Sequence, residues 1–201
     1  MVNPAERRKE LLDSIMREAV YEGAVAVLIK HGLDGTTMDR VAAAAGITKG
    51  SLYNHFRGKQ ELLEFVHERL VAPVRQAMDE IVKNEQTAAE KLTLISRRWR
   101  EYLVQHGAVF QFLINDRAAK GLLRDSEQTS RASGIRQIAT VIRQGIDEGA
   151  FRPVDPIAAA EMFVSASIGM VEQEFAAGRT RTADEAVDAL MAVFLHGLVA
   201  R

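Results

Sequence analysis

Apolar residues recur every three or four positions along nearly the whole chain, and Gly, Pro and short polar residues cut this pattern into segments. Residues 17–30 read as a first full helix with Val20, Ala24, Val27 and Leu28 inward, ended by Gly32. Before it, residues 1–16 read as a frayed or helical arm. Its Arg7, Arg8 and Lys9 can touch a phosphate backbone or minor groove, although Glu6, Glu10 and Asp13 dilute the charge. Thr36 or Thr37 can cap the next helix, Thr36 standing three before Asp39 at capping-box spacing. Met38, Val41, Ala42 and Ala45 form its apolar side, Gly46 stops it and Ile47 plugs the turn. Thr48 can cap a second short helix, Lys49 to about His55, with Leu52 and Phe56 inward.

A long helix follows from Lys59 to about Lys83, carrying Leu62, Val66 and Leu70 on its buried face, with a kink expected at Pro73. Thr87 and Glu90 make a capping box for a helix with Leu92, Ile95, Trp99, Leu103 and His106 on one side, broken at Gly107. Residues 108–119 predict a short helix with Phe110, Phe112, Leu113 and Ile114; residues 126–148 predict a long one with Ile135, Ile138, Ile142 and Ile146. Asp155 and Pro156 begin a helix ending near Gly178. Thr182 and Glu185 box the start of the last one, ending near Ala200. No strand-like alternation or repeat interrupts this pattern. The expectation is an all-α chain of about nine helices: a helix-turn-helix domain over residues 1–60 and a helical ligand-binding and dimerisation domain over 61–201.

The last two helices are apolar on more than one face. The final one has large residues at Val187, Leu190, Met191, Phe194 and Leu198, and smaller ones at Ala186, Ala189, Val193 and Gly197. Its predecessor places Met162, Phe163, Ala166 and Met170 on one side and Ala158, Ser165 and Gly169 on another. A surface helix needs one apolar face, so two imply burial against a core and against a partner. Two such helices per subunit predict a four-helix interface in a homodimer, with Ala158, Ser165, Gly169, Ala186, Ala189, Val193 and Gly197 at the contact. A monomer with two core helices is the alternative.

Charge sharpens the reading. The chain's formal net charge is −1, yet residues 40–60 hold four cations (Arg40, Lys49, Arg57, Lys59) and no acid, while residues 61–201 hold 17 basic and 20 acidic side chains. A basic patch on a near-neutral chain is the footprint of phosphate binding. Two short helices meeting at a glycine turn are a helix-turn-helix, whose second helix enters the DNA major groove. Lys49 and Ser51 face outward near the start of that helix, and Gly50 permits close backbone approach. Tyr53 and His55 have polar tips for phosphates, and Asn54 can serve a base or a phosphate. Lys59 can hold a phosphate at the next helix start, and Thr37 and Arg40 can reach the backbone. Tyr53 could equally be a core aromatic beside Leu52 and Phe56.

The run from His31, H-G-x-x-G-T-T-M-x-x-V-A-x-x-A-G-I-T-K-G-S-L-Y-N-H-F-x-G-K-x-E-L-L, resembles the N-terminal signature of the TetR family of bacterial transcriptional regulators. The resemblance covers roughly residues 17–65. It departs at Gly23, where the family usually has alanine, at Leu28, where an aromatic is common, and at Gly58, where a capping polar residue is favoured. It implies DNA-contact roles for Thr37, Arg40, Thr48, Lys49, Gly50, Ser51, Tyr53, Asn54, His55 and Lys59. It also implies a repressor released from a palindromic operator when a small-molecule effector binds the C-terminal domain and shifts the helix from Lys59 to Lys83. A DNA-binding repressor or architectural protein without an effector is the alternative.

Trp99, Tyr102, Leu103, His106, Phe110, Phe112, Met162, Phe163 and Met170 are the candidates to line an effector cavity; a plain core is the other reading of the same residues. Arg97, Arg98 and Arg100 flank Trp99 in different directions, and one turned inward would favour an anionic effector. The chain has no cysteine, its five histidines are scattered, and no glycine-rich phosphate loop is present, so no enzyme, cofactor or metal site is expected. The start of the chain lacks a signal-peptide core and no apolar run is long enough for a membrane span, so a cytoplasmic location is expected.

Overall fold

The computed structural model describes residues 3–115, 117–179 and 181–198; within these, the side chains of residues 113–115, 117, 120, 196 and 198 are left out. Ten helical spans are described: α1 Pro4–Gly35, α2 Met38–Ala44, α3 Lys49–His55, α4 Lys59–Lys83, α5 Ala88–Gln105, α6 Gly107–Asn115, α7 Arg117–Leu122, α8 Arg124–Asp147, α9 Pro156–Ala177 and α10 Ala183–Leu198. No β-strand occurs among the described residues. α6 and α7 flank Asp116, which lies outside the described residues, and fill the stretch expected as one short helix. The side chains of Leu113, Ile114 and Leu198 and the expected end at Ala200 also lie outside that description.

The chain divides into two compact units, Met1–Leu70 with Phe112–Arg124, and Val71–Gln111 with Asp125–Arg201. In the first unit, Val20, Ala24, Val27 and Leu28 of α1, Met38, Val41 and Ala42 of α2, Leu52 of α3, and Leu62, Leu63, Val66 and Leu70 of α4 are all buried. The Arg17 guanidinium lies 4.8 Å from the Phe65 ring centre, and Phe65 packs on Phe56 at 5.0 Å. Arg69 pairs with Glu18, a second tie between α4 and α1.

The N-terminal arm is an ordered part of α1. Asn3 caps it, Pro4 takes the first helical position, and Glu6 returns to the Asn3 N–H, which completes a capping box. Gly32 interrupts the helical run, as its position predicts.

His67 in α4 is buried, and burial pushes its imidazole below the ordinary histidine value, with Glu68 opposing. The folded state therefore holds the proton less tightly than the unfolded chain does. The His67 contribution is full above about pH 6.5 and is lost as pH falls from there toward the lower folded value. Urea midpoints should drop between neutral and mildly acidic pH, and His67→Leu should flatten that part of the profile.

In the second unit, Val74, Met78 and Ile81 of α4, Leu92 and Ile95 of α5, Ile138, Val141 and Ile142 of α8, Ala160 and Phe163 of α9, and Val187, Leu190 and Met191 of α10 form one cluster. Phe163 and Phe194 meet edge to face at 5.0 Å. Both capping boxes read from sequence form, Thr87 with Glu90 and Thr182 with Glu185. Asp155 accepts from the Ile157 and Ala158 N–H groups. Pro73 stands inside α4, exposed to solvent. Lys91 is buried, but its ammonium donates to the Val82 carbonyl at 2.9 Å and to Gln144 Oε1 at 2.8 Å, so it closes the C-terminal turn of α4. Arg100 and Glu174 form a buried ion pair, each 5% exposed, which Arg181 joins at 3.0 Å.

Candidate nucleic-acid interface

The turn between α2 and α3 is set by Gly46, whose φ of 67° is open to glycine at little cost. The Gly46 N–H donates to the Ala43 carbonyl at 3.2 Å and the Ile47 N–H to that of Ala42 at 3.0 Å, a Schellman closure. Thr48 caps α3 by accepting from the Ser51 N–H at 3.1 Å. At α2, Thr37 is the cap, accepting from the Arg40 N–H at 3.3 Å. Thr36 is excluded from that role, because its buried hydroxyl donates to the Gly32 carbonyl at 2.7 Å. The capping-box partnership expected of Thr36 and Asp39 therefore does not form.

The hairpin displays most of the predicted residues outward. Thr37, Arg40, Thr48, Lys49, Gly50 and Asn54 are exposed, and Tyr53 is 46% exposed, so it is not a core aromatic. Ser51, His55 and Lys59 are half-buried. Arg40 donates to the Gly35 carbonyl at 2.6 Å, His55 lies 3.5 Å from Asp13 of α1, and Lys59 donates to the Leu33 carbonyl. Lys59 thus ties the start of α4 to the end of α1, a structural role that sequence spacing does not reveal.

Sequence reasoning also missed an acid. The cationic window opens at Arg40, one residue after Asp39, and Asp39 pairs with Lys49 at 2.7 Å. The hydrogen bond and charge of Asp39 raise the Lys49 ammonium above the ordinary lysine value. Lys49 also stands 5.9 Å from the Tyr53 ring centre. An exposed pair is worth only about 0.2–1 kcal/mol, so DNA can displace the carboxylate. Asp39→Asn should tighten binding to any duplex by up to about fivefold at low salt, an advantage that fades as salt is raised. Equal affinities for the variant and the parent would mean that Asp39 does not hold Lys49 back from the duplex.

The effector candidates are spread between environments. Leu103, Phe110 and Phe163 are buried, while Trp99, Tyr102, His106 and Met170 are half-buried. Trp99 and Tyr102 pack edge-on against Phe110 at 5.4 and 6.1 Å, and Tyr102 lies over His106 at 4.2 Å. Burial lowers the His106 imidazole below its ordinary value. Phe112 belongs to the other unit. Met162 is 66% exposed, so it is no part of an interior lining. α9 is apolar nearly all round, and helical spacing alone therefore left its phase undetermined. The cavity beside Trp99 and Met170 measures about 20 Å³, room for one water. Of the arginines around Trp99, Arg97 pairs with Asp184 and Arg98 with Glu101, while Arg100 turns inward to Glu174. Its charge is already balanced, which removes the argument for an anionic effector.

Most of the proposed dimer stripe is outward. Ser165, Ala189, Val193 and Gly197 are exposed, and Ala158 and Gly169 are partly so. Ala186 is the exception at 6% exposure: it packs into its own unit, close to α5. Met162 and Val193, at 66% and 71%, border an open groove of about 490 Å³ with Ala158, Ala159, Phe194 and Gly197. Among the described residues, no helix is long and apolar enough to cross a membrane.

Residues 20–66 match the family of bacterial regulatory proteins of the tetR type. The HTH-type transcriptional repressor KstR2 of Mycolicibacterium smegmatis is 25% identical over 199 residues, covering 97% of this chain and 92% of that protein. The SmeT–triclosan complex superposes with a TM-score of 0.81 at 21% identity, covering 92% of each chain. The fatty acid degradation regulator FadR of Bacillus halodurans does so at 0.80 and 17% identity, covering 92% of this chain and 97% of that one. The capped hairpin, its outward cations and these likenesses agree: residues 20–66 are a DNA-binding domain of the tetR type, and the chain is similar along most of its length to transcriptional regulators that carry it.

Proposed function

We propose that the chain is a homodimeric repressor that holds a palindromic operator and releases it when a small-molecule effector binds the C-terminal unit. The observation that carries the dimer is the apolar groove on α9 and α10. Large apolar side chains standing half or more in water, around a groove of about 490 Å³, match a surface covered by its two-fold copy. Residues 1–60 act as the DNA reader and residues 61–201 as the effector and dimer domain, in the cytoplasm and without catalysis. Lys49 and Ser51 read bases. Thr37, Arg40, Thr48, Gly50, Tyr53, Asn54, His55 and Lys59 hold the backbone or position the helix. An effector acts through α4, whose residues belong to both units. It must prefer one state, and a ~100-fold preference corresponds to about 2.7 kcal/mol.

Selection of bound duplexes from a random pool tests the reading. The expected winner is an inverted repeat whose half-sites lie about 34–36 Å apart, one dimer per duplex. Enrichment of a lone half-site would overturn it. A second reading, repression without an effector, is favoured by the small size of the cavity beside Trp99, about 20 Å³ against the several hundred Å³ of ordinary ligand sites. Titrating candidate ligands into the operator complex separates the two, since only the first releases DNA.

A further inference from the structure

The small cavity between α5, α9 and α10 has a defined hydrogen-bonding character. It is lined in part by Ser96, Trp99, Arg100, Ser167, Met170 and Leu190. The Arg100 side chain is buried, and its Nε–H has no hydrogen-bond partner. Beside it, Nη2 donates to the Glu174 carboxylate and, at 2.8 Å, to the Arg181 carbonyl. The Ser96 hydroxyl donates to the Leu92 carbonyl at 2.9 Å and the Ser167 hydroxyl to the Phe163 carbonyl at 2.8 Å. A hydroxyl has one proton. Both serines therefore face the cavity's contents only as acceptors.

A buried donor without a partner and two acceptors fit a hydroxyl group. Its oxygen takes the Arg100 Nε–H, and its proton goes to a serine oxygen. A carboxylate or ketone brings no proton and sets its lone pairs against those of the serines. An alkyl group leaves the buried donor unsatisfied. We propose that this cavity is the polar end of the effector site and takes the hydroxyl of an apolar alcohol or phenol. The assignment rests on the effector reading above and adds the class of compound. The carbon skeleton lies against Trp99, Met170 and Leu190. At about 20 Å³ the cavity admits only the hydroxyl, so Met170, with three rotatable bonds, must swing aside to admit the rest.

Trp99 is the chain's only tryptophan, so its emission reports occupancy without DNA. The full-length protein is titrated with cyclohexanol, methylcyclohexane and cyclohexanecarboxylate, which share a ring and differ in the polar group. Cyclohexanol is expected to shift Trp99 emission saturably, at least about tenfold tighter than either of the others. Ser167→Val, which removes an acceptor and fills space, should abolish the shift while the helical circular dichroism persists. Equal responses to methylcyclohexane or to the carboxylate, or no response to any of the three, would overturn the proposal. The series on the parent chain decides the matter even if the variant does not fold. Operator binding measured on the same samples keeps the two readings apart. Occupancy with unchanged DNA affinity would uphold the site and sink effector release. DNA release by cyclohexanol with silent Trp99 emission would do the reverse.

Discussion

Glu174→Ala should destabilise the C-terminal unit by about 3–5 kcal/mol, because it leaves the buried Arg100 guanidinium with no countercharge. Both partners are 5% exposed, and Arg181 and its N–H add two further hydrogen bonds to the same carboxylate. Replacing both partners, Arg100→Met with Glu174→Leu, should cost much less, since no buried charge is then stranded. The measurement is the urea midpoint at fixed protein concentration, with the slope checked for constancy. A loss below about 1 kcal/mol for Glu174→Ala would show the pair to be solvated in practice. The pH dependence carries the same signature. Burial alone would raise the Glu174 carboxyl, but hydrogen bonds and charge from Arg100 and Arg181 outweigh it and hold the group below its ordinary value. The contribution is therefore full above about pH 4.3 and disappears as pH falls through the lowered folded value.

Placing aspartate at both exposed apolar positions of the α9–α10 face, Met162→Asp with Val193→Asp, should yield monomers and weaken operator binding about 100-fold or more. Each charge would have to be desolvated at the centre of the proposed contact, and a loss of about 2.7 kcal/mol already corresponds to 100-fold. The hairpin is untouched, so weak binding to random duplex should persist with the parent's salt dependence. Sedimentation and band shifts on the same preparations read both quantities. A variant that stays dimeric would move the interface elsewhere. The positions at 66% and 71% exposure lie outside the unit's own core, so the substitutions should leave the fold of each subunit intact.

The features that could be read from sequence are those written locally. Thr48, Gly46, the Thr87–Glu90 and Thr182–Glu185 boxes and the Asp155 cap each depend on residues within five positions of one another, and each forms. The Asn3 cap obeys the same rule but sits in a stretch whose mixed charge disguised it. What escaped depends on distant partners. Arg100 and Glu174 are 74 residues apart, and no periodicity relates them. Lys59 and Leu33 are 26 apart. Met162 and Ala186 were assigned to the wrong sides because α9 and α10 carry apolar residues around most of their circumference, so spacing fixes the helix but not its rotation.

Gly23 has a practical consequence for building hybrid regulators. A methyl group at that position would come within 2.8 Å of the Ala45 backbone nitrogen, closer than two helices can tolerate without moving apart. α1 and the end of α2 therefore fit as a matched set, closer than an alanine at position 23 would permit. Transplanting only α2 and α3 between this chain and an alanine-bearing relative would join mismatched surfaces; the graft has to carry residue 23 with it.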